Sequence, residues 1–320
     1  MLVPGKRPVD YNRAAVALRT KKLGDGPVAR SWQGMVEETH AWPGTSVMSA
    51  EWFCLTTADL AKRTVKQLRP SDVHVVYSAR SFVTQVPAAW QETLKRGAKH
   101  TLEEFIANLD APQERWSWWT LDPAEALSRW EKWVGPQNIH VVTVPPRGAP
   151  RDLLFSRFAS VFGFDPAVCD TAVAQANESL GVEAAELIRR VAPLAREEIP
   201  FESLHWTEEY RWLRRYLGHE LLVPRGGSKI GLRPEAVERL EARSRASVER
   251  LRARGYDVVG DLDELLGQSL PPGSVHPDQV TAEQMLEIAA PVMAQMLARI
   301  RKETVRAERA EKRLRELEEQ

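Results

Sequence analysis

Little in this chain ties it to a membrane, a nucleic acid or an oxidising compartment. Only two cysteines, Cys54 and Cys169, occur in 320 residues, far apart, so no disulfide framework and no paired-cysteine metal site is encoded. They read as core or near-core thiols in a reducing compartment. Lysine plus arginine equals aspartate plus glutamate at 44 each, which leaves no global field for nucleic acid or anionic lipid. No apolar run approaches the roughly 18 residues of a membrane span, and the first residues lack the apolar core of a secretory signal. These absences predict a cytoplasmic protein with no membrane span, no nucleic-acid partner and no metal.

What is present suits a globular α/β chain, with 43% hydrophobic residues to build a core. Short β-branched or apolar runs at Ser46 to Ser49, Val73 to Ser78 and Ile139 to Val144 read as buried parallel strands, each followed by helical sequence. Ala58 to Leu68, Leu102 to Leu109 and Pro123 to Trp133 carry apolar residues at helical spacing, and such alternation builds βαβ units. Asp122-Pro123 and Asp165-Pro166 read as N-caps followed by proline in the first turn. Residues 151 to 217 read as mostly helical. The tryptophans Trp116, Trp118, Trp119, Trp130, Trp133, Trp206 and Trp212 crowd the middle of the chain, as packing residues or as surfaces for an adenine ring.

Pro271-Pro272-Gly273-Ser274 marks a break. The expected organisation is an α/β domain over 1–267, a linker over 268–280 and a charged amphipathic helix over 281–320. In that tail Met285, Ile288, Val292, Met296, Leu297 and Ile300 form a stripe at helical spacing, followed by mixed charges that support an exposed helix. It reads as a docking or self-association helix, giving a homo-oligomer through 281–320.

The chemistry is concentrated after the second expected strand. His74-Val75-Val76-Tyr77-Ser78-Ala79-Arg80 sets a cation at a strand's carboxyl end, where open α/β sheets bind anions, and a helix opened by Pro87 is expected to follow. Taken from the residues alone, Arg80 reads more readily as a surface salt-bridge residue after a core strand; the flanking words shift that reading. With Ala88-Ala89-Trp90-Gln91-Glu92, Lys95-Arg96-Gly97, Arg129-Trp130, His140 to Pro146, Asn177 to Gly181 and Gly255 to Leu262, the segment resembles a bacterial, mainly actinobacterial, branch of sulfotransferase-like proteins. The resemblance spans roughly residues 1 to 265.

That resemblance implies a three-layer P-loop NTPase-like fold, a parallel sheet flanked by helices with a mostly helical C-terminal half. It implies transfer of a sulfuryl group from 3′-phosphoadenosine 5′-phosphosulfate to a hydroxyl or amine of a small molecule, glycan or lipid. Arg80 matches the arginine that binds the 3′-phosphate, while Ala88 stands where the family has a serine. Lys95, with Arg96, would help to hold anions. Arg225-Gly226-Gly227-Ser228-Lys229 is similar to a late basic-glycine loop on the 3′-phosphate, and it also reads as a turn joining two helical segments.

Glu51, in Met48-Ser49-Ala50-Glu51-Trp52-Phe53, resembles the family's Ser-Ser-Glu word and is the candidate general base; the alternative is a helix-capping role. His40, His74 and His140 are other candidates, the last two at the opposite rim of the sheet. The family's lysine-bearing phosphate loop has no counterpart, because Trp42-Pro43-Gly44-Thr45-Ser46 precedes a strand and lacks the lysine. Met1-Leu2-Val3-Pro4-Gly5 is similar to a word that follows that loop in relatives, so the expectation is a start codon assigned too far downstream. The rival expectation is a degenerate, noncatalytic relative that binds or scaffolds through its C-terminal helix.

Overall fold

The computed structural model describes residues 1–5, 8–18, 20, 26–111, 116–170, 179–201 and 207–318. Its elements run α1 (Pro8–Ala17), α2 (Pro27–Ala41), α3 (Ala58–Leu68), β1 (Val75–Ala79), α4 (Phe82–Leu94), α5 (Leu102–Asn108), α6 (Trp118–Leu121), α7 (Pro123–Val134) and β2 (Ile139–Thr143). They continue with α8 (Leu153–Phe162), α9 (Val182–Glu198), α10 (Thr207–Glu209), α11 (Pro234–Arg252), β3 (Asp257–Val259) and α12 (Ala282–Glu318). A wide helical segment, Tyr210–Leu222, follows α10.

This is an α/β protein with a three-stranded parallel sheet flanked by helices and a helical C-terminal half. The chain divides into two units: Met1–Gln85, Ile106–Ala174 and Val237–Ser269 form the first, and Val86–Phe105, Gln175–Ala236 and Leu270–Gln320 the second. That division departs from one domain ending at residue 267 with a linker behind it. Residues 270–280 belong to the second unit, where Val275 N–H donates to the Lys229 carbonyl and Gly231 N–H to the Val275 carbonyl, both at 2.7 Å.

The first unit holds the sheet, in the order β1-β2-β3 with Val75 opposite Ile139 and His140 opposite Asp257. The middle strand is the most buried of the sheet, with only His140 partly exposed, as a strand covered on both faces should be. Ala61, Leu127, Trp130, Val141, Val248, Leu251 and Leu262 bring α3, α7 and α11 onto one core. A second cluster joins α1, α2 and α3 through Leu18, Trp32, Met35 and Leu68. Asp122 caps α7, accepting from Ala124 N–H at 3.0 Å, and is completely buried. Its charge is met by Arg243 at 2.6 Å and Arg250 at 2.5 Å, so removing both arginines would leave a buried carboxylate without a counter-charge.

Several expectations are corrected. Ser46 to Ser49 forms no strand; a single parallel bridge joins Ser46 to Leu2, because the helix Glu51–Leu55 takes the chain away after four residues. Pro87 does not open α4 but lies inside it, costing one backbone bond in a helix that already starts at Phe82. β3 was hidden by its length, three residues ahead of Gly260. Cys169 is exposed, not near-core. In α12 the expected stripe is split: Met285 and Val292 are buried, whereas Leu297 and Ile300 are exposed. Among the described residues no helix is long and apolar enough to cross a membrane.

Candidate functional site

The carboxyl rim of the sheet carries one arginine from β1 and one acid-base pair beside β2. Arg80 follows β1 directly, and its Nε donates to Thr84 Oγ1 at 3.0 Å, which anchors the guanidinium to the first turn of α4. Among the described residues no carboxylate lies within ion-pair distance of it. The side chain reaches solvent yet is ringed by protein, and the partial loss of hydration lowers its pKa.

The neighbouring cation at the rim is already matched. Arg157 donates to both oxygens of Glu264, at 2.6 and 2.7 Å, and to the Thr143 carbonyl at 2.9 Å. Thr143 Oγ1 donates to Glu264 at 2.5 Å and accepts from Asp261 N–H at 3.2 Å. The bond from Arg157 holds Glu264 below the ordinary carboxylate range. Gly260, at φ +108°, fits only because it has no side chain; a Cβ there would lie 2.0 Å from Thr143 Oγ1.

A cavity of about 950 Å³ lies within the first unit along β1. Ala79 turns its carbonyl toward β2, accepting from Val144 N–H at 2.8 Å, so by alternation Val76 and Ser78 turn theirs to the other edge. No described strand pairs with that edge. Glu51, Ser46, Gln85, Trp116 and Phe158 line the cavity. Ser46 Oγ and Gln85 Oε1 are buried there with no hydrogen-bond partner among the described residues.

Glu51 opens the short helix Glu51–Leu55, and Arg129 fixes the far end of that helix. Arg129 donates to the carbonyls of Cys54 at 2.5 Å, Thr56 at 2.8 Å and Trp119 at 2.8 Å, and it stacks on the Trp119 ring. With carbonyls in place of a carboxylate, burial pulls its pKa down to about 10. Sequence reading met Arg129 only as part of a family word; its bonding partners up to 75 residues away leave no local signal.

His74 and His140 meet Nδ1 to Nε2 at 2.8 Å, and His140 Nδ1 donates to Asp257 at 2.7 Å. They tie the amino ends of the three strands, away from Arg80. His40 sits in the last turn of α2 and does not line the cavity.

The remaining candidates belong to the second unit. Ala88 is half-buried in mid-α4 and offers no donor. Lys95 is buried and donates to Glu92 at 2.8 Å, and Arg214 reaches the other Glu92 oxygen at 3.0 Å. Burial raises the Glu92 pKa, but these two cations outweigh it and the net shift is downward. Arg225 donates to Gln295 at 2.6 Å. The Gly226–Lys229 loop does cradle an anion, and the anion is the chain's own: Ser228 N–H donates to Glu183 at 3.0 Å. A Cβ on Gly227 would stand 2.3 Å from that carboxylate, so the glycine is required by its approach. Lys229 has no carboxylate partner among the described residues.

Glu103, His276 and Asp278 bring three potential metal-ligating groups together. His276 Nδ1 accepts from Asp278 N–H at 3.2 Å and its Nε2 donates to Glu103, while Arg233 pairs with Asp278 at 2.5 Å. The guanidinium already supplies the positive charge that such a cluster attracts. Trp206, residues 171–178 and the Asn177-Glu178 part of the family word lie outside the described residues.

Comparison of the chain with family models, with curated proteins and with solved structures finds no match.

Proposed function

We propose that the chain is a sulfotransferase-like protein that binds the 3′-phosphate of an adenosine nucleotide at Arg80. The observation that carries this reading is an arginine at the carboxyl end of a parallel strand, anchored by Thr84 and matched by no described carboxylate. A planar guanidinium pairs with phosphate through two parallel bonds, and this rim of an open α/β sheet is where such ligands sit. In this reading 3′-phosphoadenosine 5′-phosphosulfate is the donor, a hydroxyl or amine is the acceptor, and Glu51 at the cavity takes the acceptor's proton.

The fit to the donor is one-sided. Arg80 suits its 3′-phosphate, but the described residues offer no lysine-bearing loop for the phosphosulfate end. Lys95 and the Ser228 amide are each already engaged by a carboxylate. No transfer step is therefore written. The same two engaged groups favour the second reading, a noncatalytic binding protein on this fold.

Titrating the full chain with adenosine 3′,5′-bisphosphate separates the two. The first reading expects saturable binding that Arg80→Ala weakens by at least about tenfold, since a hydrogen bond to a charged group contributes about 1.5–3 kcal/mol. Absent binding, or equal affinity in the variant, would reject it.

A further inference from the structure

The outer face of α12 is apolar and uncovered. Leu286, Met293, Leu297 and Ile300 are 63, 60, 66 and 59% exposed, whereas Met285 and Val292 on the opposite face are buried within the second unit. Positions 286, 290, 293, 297 and 300 succeed one another by alternating steps of four and three, the seam spacing of a coiled coil. The stripe read from the sequence mixed these two faces; the structure separates them.

We propose that this face pairs with the same face of a second copy, antiparallel, about a two-fold axis midway between Met293 and Leu297. In that arrangement the stripe complements itself. Met293 falls opposite the partner's Leu297, and Ala290 opposite the partner's Ile300, small against large. Beside the seam Glu287 lies about two residues, ~3 Å, out of register with the partner's Arg301, within reach of both long side chains, and the two-fold axis repeats the pair, as an isologous interface requires. Among the described residues neither Glu287 nor Arg301 has an ion-pair partner within its own chain. The parallel alternative sets Glu303 against the partner's Glu308, like charges in the flanking positions.

From Leu286 to Ile300 the seam runs about 21 Å. That is a short contact, so the dimer belongs to the weak class, with a dissociation constant on the order of micromolar.

Sedimentation equilibrium of the full chain over about 1 to 100 μM tests this. The expected result is a monomer–dimer equilibrium in which Glu287→Arg and Arg301→Glu each raise the dissociation constant by at least about tenfold. The double charge-swap variant should recover most of the loss, and Leu297→Glu should leave a monomer. All three substituted positions are exposed, and circular dichroism checks that each of the four variants keeps its helix content. A monomer throughout, a swap that restores nothing, or a Leu297→Glu variant that still dimerises would overturn the proposal.

Discussion

The carboxylate of Glu183 accepts a hydrogen bond from the backbone N–H of Ser228 at 3.0 Å, so the glycine loop before Lys229 holds an anion built into the protein. Glu183 stands in the first turn of α9, where the helix dipole also favours a negative charge. The loop and the helix start are thus fastened by one side chain.

Glu183→Ala should remove that fastening and cost about 1–3 kcal/mol of stability, the usual price of a backbone donor left without its partner. Phosphate or sulfate should restore part of the loss by taking the vacated amide, with Lys229 adding charge. Urea denaturation with and without phosphate measures both effects. A variant as stable as wild type, or one indifferent to phosphate, would contradict this account of the loop.

At the sheet rim, Gly260→Ala should destabilise the chain by about 2–5 kcal/mol. The position has φ +108°, which an L side chain rarely adopts, and the new Cβ would press on Thr143 Oγ1. Gly148, also at positive φ but with nothing near its Cβ position, is the control, and Gly148→Ala should cost clearly less. Similar losses at the two sites, measured by thermal denaturation, would show that backbone strain alone governs both.

The pairing of Glu264 with Arg157 gives a pH signature. Because the folded-state pKa of Glu264 is depressed, its contribution to stability is present above the unfolded value near 4.5 and is lost as pH falls below it. Glu264→Gln should therefore lower the melting temperature at neutral pH, and the gap to wild type should narrow steadily below that value. A gap that stays constant down to acid pH would place the stabilisation elsewhere.

Much of the first unit could be read from residue order because its signals are local. Ala58 to Leu68 has an apolar face and a threonine cap and becomes α3 with those bounds; Ile139 onward is a run of apolar and β-branched residues and becomes β2. Ser46 to Ser49 has the same local look but gains only Leu2 as a partner, and pairing is a property of the neighbour, not of the run. β3 is the reverse case, three residues that become a strand because β2 lies beside them.

Arg80 was readable from its place after an apolar strand. Which cations remain unmatched was not, since Lys95 is paired by a residue one helical turn away and Arg157 by one 107 positions on. Nor did spacing alone divide α12 into a buried and an open face; that required the rest of the second unit.

The most direct test compares adenosine 3′,5′-bisphosphate with adenosine 5′-monophosphate, which lacks the 3′-phosphate, by isothermal titration of the full chain and its Arg80→Ala variant. The account predicts that the chain prefers the bisphosphate by at least about tenfold and that the preference disappears with the guanidinium. A chain with no preference, or a preference that survives without Arg80, would contradict it.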